Sequence, residues 1–137
     1  MRIRGMIMRV LGVFEWLIGV GAIFGGGALT IAPSGRLLYM PLSLLNGTPF
    51  RSYLIPGLLL LFVVGGSNIA AGWLGWHRRP SSGLSGVLAG AILTGWIAVQ
   101  IELIGYVHLV QAVYFGCGLM VFVVAGALIL TAPPERG

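Results

Sequence analysis

Four apolar segments, at residues 10–31, 53–74, 84–105 and 109–131, occupy most of the 137-residue chain. Each is about 20 residues long or slightly more, which at about 1.5 Å per helical residue crosses a hydrocarbon layer roughly 30 Å thick. A soluble four-helix bundle needs polar outer faces, and these segments are apolar on nearly every side. Charged residues make up only 8% of the chain against 58% hydrophobic. The expected fold class is therefore an all-α membrane protein: a single four-transmembrane-helix bundle over 1–137.

Eight arginines and no lysines stand against three glutamates, for a formal charge of +5. Arg2, Arg4 and Arg9 precede the first segment, Arg78 and Arg79 lie between the second and third, and Arg136 follows the fourth. Only Arg36 and Arg51 fall in the first connection. The positive-inside bias then puts both termini and the second loop in the cytoplasm. The same charges predict anionic lipid headgroups as partners. Nucleic acid is not expected, because no basic patch extends beyond a few residues. The basic, apolar N-terminus is read as an uncleaved helix, since Ala28 to Pro33 makes an imperfect cleavage signal.

The connection at 32–52 is the least generic stretch. It is polar at both ends and apolar in the centre, and at about 20 residues it is long for a link between neighbouring spans. Residues 37–45 are too few to cross and contain Pro41, which predicts an amphipathic external cap with Tyr39 and Phe50 near headgroup level. Asn46-Gly47 marks a turn, and Pro56 falls in the first turn of helix two, where its missing N–H costs little. Gly65-Gly66-Ser67 is a predicted close-contact or bending point. Gly21-xxx-Gly25, Gly86-xxx-Gly90 and Ala112-xxx-Gly116 are candidate packing or oligomer surfaces.

Polar residues inside the spans are the best functional clues, because lipid makes each one costly. Glu15 and Asn68 reach similar depths from the cytoplasmic side and form a candidate inner polar cluster. Arg9 is an alternative partner for Glu15. Glu102 belongs to an outer layer, about 15 Å away along the membrane normal by helical rise. That layer also gathers Gln100, Tyr106, His108 and Gln111, with Arg36 or Arg51 supplied by the connection; Glu102 and Tyr106 are one turn apart and can share a face, while Gln100 points elsewhere. An Arg–Glu link there would pin the cap to the bundle. Glu102, Arg51, Arg36, Tyr106, His108 and Gln111 are accordingly the outer ligand-binding or polar-cluster candidates.

Recognisable catalytic motifs are missing: the sequence has no HExxH, CxxC, Walker loop or nucleophile elbow. Two histidines and the single Cys117 do not make a zinc pattern, so no metal and no cofactor are expected. Four spans with an acidic residue in the first invite comparison with small multidrug-resistance exporters, but the first loop is much longer here and aromatic residues beside Glu15 are limited to Phe14 and Trp16.

The stretch from Leu42 to Leu58, followed by Gly95-Trp96-Ile97-Ala98-Val99-Gln100-Ile101-Glu102 and Gln111-Ala112-Val113-Tyr114-Phe115-Gly116, resembles small uncharacterised bacterial four-span integral membrane proteins. The resemblance implies a self-contained bundle in a bacterial inner membrane, and carries no biochemical role. The expected function is non-enzymatic: a membrane binding or scaffold protein that holds a lipid or other lipophilic ligand beneath its cap, with a membrane-protein partner as a further option. The alternative is a small proton- or cation-coupled transporter using an intramembrane glutamate.

Overall fold

A computed structural model of the chain describes residues 2–105 and 109–131. Four helices are long and apolar enough to cross a membrane. They are α1 (Arg2–Ile31), α2 (Leu54–Trp76), α3 (Ser82–Ile104) and α4 (Leu109–Leu130). The protein is a four-helix membrane-spanning bundle. α1 begins eight residues before the apolar segment at 10–31, because Ile3, Met6, Ile7 and Met8 carry the helical run between the arginines.

Two hairpins make the bundle: α1 packs along α2, α3 packs along α4, and α2 joins the hairpins through α3. Lipid offers no hydrophobic drive to bring helices together, so close backbone approach has to supply the attraction. On α1 that approach comes from Gly12, Gly19 and Gly26, buried and spaced by seven so that they share one face, while Gly5 on the same face meets the Arg78 side chain. A methyl group at Gly12 would sit 2.7 Å from the Gly72 carbonyl oxygen, and one at Gly26 would sit 2.6 Å from that of Gly57. Gly86 and Gly90 do the same work on α3, against Ala125 and Phe122 of α4. Gly21 and Gly25 face a cleft instead, and Gly116 meets nothing within 4 Å.

The interior seam contains Leu11, Ile18, Val64, Leu93, Ile97 and Val121. Large side chains such as Leu17, Phe24, Phe62, Leu88 and Val123 point outward. An apolar exterior over an apolar interior is what a lipid solvent permits.

α2 changes pitch on its way through. Leu60–Val64 forms a π-helical turn immediately before Gly65. The Val64 carbonyl, at the end of that turn, accepts from Asn68 Nδ2 at 2.9 Å and from Ser67 Oγ at 3.1 Å. Such turns interrupt the regular ladder and recur at functional positions.

The connection between α1 and α2 folds back over one end of the bundle as two short 3₁₀ turns, Arg36–Leu38 and Leu42–Leu45. Tyr53 organises it. Its N–H donates to the Pro33 carbonyl at 2.9 Å, and its Oη donates to the Pro41 carbonyl at 2.8 Å. Its ring lies beside Gly35, where φ is +80° and a side chain would strike the ring and the Met40 carbonyl. Leu29, Leu45 and Tyr53 form a second small core, with Met40, Phe50 and Ile104 against it. Tyr39 is 94% exposed, whereas Phe50 is half-buried against this small core. Asn46-Gly47 turns as expected, with the Thr48 N–H bonded to the Leu45 carbonyl.

Candidate functional site

Beneath the connection lies an apolar cleft of about 180 Å³. Its roof is Met40, Leu45 and Phe50; its walls include Leu29 of α1, Leu60 of α2 and Trp96 and Leu103 of α3. A second cleft of about 250 Å³ lies deeper, between all four helices, with Gln100, Gln111 and Tyr114 as its polar lining. Leu60, Trp96 and Gln100 line both, so the two adjoin. Among the described residues no charged side chain lines either cleft.

Each polar residue of the deeper cleft is placed by helix geometry. Trp96 and Gln100 are one turn apart on α3, and Gln111 and Tyr114 are nearly one turn apart on α4, so each pair shares a face. Gln111 Nε2 donates to Gln100 Oε1 at 3.2 Å and to the Gly105 carbonyl at 3.3 Å, bracing the end of α3 against the start of α4. Gln111 itself is 5% exposed. Tyr114 reaches across to α1, where the missing side chain of Gly21 leaves room for its phenol: a methyl there would lie 2.8 Å from Oη.

The other outer candidates lie apart from this pair. Glu102, Arg36 and Arg51 are exposed, and among the described residues no ion pair ties the glutamate to either arginine. Tyr106 and His108 lie outside the described residues.

The inner candidates, Glu15 on α1 and Asn68 on α2, are both buried. Glu15 is 1% exposed and Asn68 0%. Each immediately precedes a residue of the cross-helix bond from Trp16 Nε1 to the Ile69 carbonyl, 3.2 Å long. Glu15 Oε2 and Asn68 Oδ1 have no hydrogen-bond partner among the described residues. Thr94 Oγ1, against Gly118 at the α3–α4 contact, is likewise unpartnered. An unsatisfied buried acceptor costs about 1–3 kcal/mol.

Arg9 does not compensate the carboxyl. It is exposed, its Nε donates to the Trp76 carbonyl at 3.3 Å, and its guanidinium lies 5.3 Å from the centre of the Trp76 ring. Arg79 sits 5.6 Å from the Trp73 ring, on which exposed His77 stacks at 4.3 Å. Arg4 closes the same end by donating to the Leu128 carbonyl at 2.7 Å. Arginine heads beside tryptophan rings suit the interface between headgroups and water.

Among the described residues no group of three His, Cys, Asp or Glu side chains could hold a metal ion. No family model, no curated protein and no solved structure matches the chain.

Proposed function

We propose that this bundle is a non-enzymatic bacterial inner-membrane protein that holds a lipid or other lipophilic molecule by its alkyl chain, beneath an amphipathic external connection. The observation that carries the reading is the 180 Å³ apolar cleft roofed by the connection and adjoining a polar-lined space. An apolar cavity of about 150 Å³ stays dry and takes a small hydrocarbon, so this one suits part of an alkyl chain. The arginine bias supports a cytoplasmic location for both termini, which puts the connection and cleft at the outer face.

The test is native mass spectrometry of the protein released from nanodiscs, with extraction of what it carries. A stoichiometric lipophilic molecule is expected in the wild type and is expected to be lost in Met40→Trp, which fills the cleft from its roof. Absence of any bound molecule across several lipid compositions contradicts the proposal.

A second reading, coupling to a proton or small cation, is favoured by Glu15 and Asn68. Both orphan atoms are hydrogen-bond acceptors on neighbouring helices, and a proton or a cation is what satisfies an acceptor of this kind. Vesicles containing a pH-sensitive dye test it. A proton flux that depends on a co-transported lipophilic cation and disappears in Glu15→Gln supports coupling; no flux difference between the two proteins removes it.

A further inference from the structure

The orientation of one amide says what kind of lipid fits. A backbone carbonyl can only accept, so the bond from Gln111 to the Gly105 carbonyl fixes which end of the Gln111 amide is nitrogen. That nitrogen also faces Gln100, so the atom of Gln100 nearest it is the oxygen. Gln100 Nε2 is then left as a donor, with no hydrogen-bond partner among the described residues. Gln100 lines both clefts, at the boundary between apolar and polar space. Tyr114 Oη adds a second donor, a hydroxyl, on the wall of the deeper cleft.

Donors without any positive charge select a neutral acceptor. Among the described residues neither cleft is lined by arginine or histidine, so a phosphate or carboxylate head would lose its hydration here and gain no cation from them. A bare alkane would leave the Gln100 amide unsatisfied. A head with a carbonyl, ester or quinone-type oxygen meets both conditions, and its tail can pass Leu60 and Trp96 into the cleft under the connection.

We infer that the protein takes a single-chain neutral lipid whose head bears a hydrogen-bond-accepting oxygen, with Gln100 and Tyr114 as the residues that select that oxygen. This rests on the proposal that the cleft beneath the connection holds an alkyl chain. It goes further by naming the chemistry of the head.

Three probes of equal chain length separate the two claims: 1-bromododecane, 12-bromododecan-2-one and 12-bromododecanoate, added to the protein in nanodiscs. Bromine quenches tryptophan at contact, and subtraction of a Trp96→Phe control isolates the signal from the residue that lines both clefts. The ketone is expected to half-saturate at about fivefold lower concentration than the alkane, the ratio one neutral hydrogen bond supplies. The carboxylate is expected to bind weakest. Gln100→Leu, and independently Tyr114→Phe, are expected to reduce the ketone-to-alkane ratio while the alkane still quenches.

Equal binding of ketone and alkane by the wild type overturns the inference and leaves the alkyl-chain cleft standing. So does a ketone preference that survives in both variants, or a carboxylate that binds tightest. Failure of all three probes to quench Trp96 overturns the cleft proposal and this inference with it.

Discussion

Tyr53 donates its phenolic hydrogen to the carbonyl of Pro41 at 2.8 Å, and this bond spans the connection that roofs the apolar cleft. Pro41 opens the second 3₁₀ turn, so the bond ties that turn to the start of α2. Tyr53→Phe keeps the ring packing against Gly35 and removes the bond. The loss is about 1 kcal/mol of local stability. Amide hydrogen exchange over residues 36–50 is expected to quicken about fivefold with unchanged helix content. Unaltered exchange would show that the connection is held by apolar packing alone.

The glycines of α1 make opposite-signed predictions within one helix. Gly12→Ala drives a methyl against the backbone of Gly72 and Trp76, an overpacking worth about 1–3 kcal/mol. Gly27 meets nothing within 4 Å, so Gly27→Ala gains about 0.5–1 kcal/mol of helix preference. Thermal unfolding in detergent is expected to shift down for the first and up for the second. The reverse order would contradict a glycine-lined α1–α2 contact.

Glu15→Gln is expected to leave the fold intact and to raise its thermal stability by about 1–3 kcal/mol. The amide removes a carboxyl with an unpartnered oxygen and brings hydrogen-bond donors to a region that also contains the orphan Asn68 Oδ1. A clear fall in stability would mean that the native carboxyl is compensated by something held in the bundle.

Topology is open to a direct assay. With Cys117→Ala as background, Asn46→Cys in the connection is expected to react with a membrane-impermeant maleimide on intact cells. Ser81→Cys, between α2 and α3, is expected to react only after lysis. The opposite pattern would invert the proposed orientation and move the cleft to the cytoplasmic side.

The four spans were legible because a run of about 20 apolar residues has few other uses. The inward faces were not. Lipid is as apolar as the core, so hydropathy does not say which side of Leu88 or Leu93 faces in, yet Leu88 is exposed and Leu93 buried. Spacing carried that information. The pairs Trp96/Gln100 and Gln111/Tyr114 could have been read as two facing polar stripes, but charge drew attention to Glu102, which is exposed. Likewise, the glycines four apart on α1, Gly21 and Gly25, face a cleft, while the close contacts with α2 come at the spacing of seven from Gly12 to Gly26. Glu15 and Asn68 were legible as costly polar groups inside the spans, and both are buried.

The central claim is that an alkyl chain lies beneath the connection, and photolabelling tests it most directly. A neutral lipid with a diazirine along its chain would be irradiated with the protein in nanodiscs and the labelled peptides mapped. Labelling concentrated at residues 38–53 and 96–104, and suppressed in Met40→Trp, is the expected result. Labelling spread evenly over outward-facing positions such as Phe62, Phe122 and Val123, with no excess at the cleft, would contradict the account.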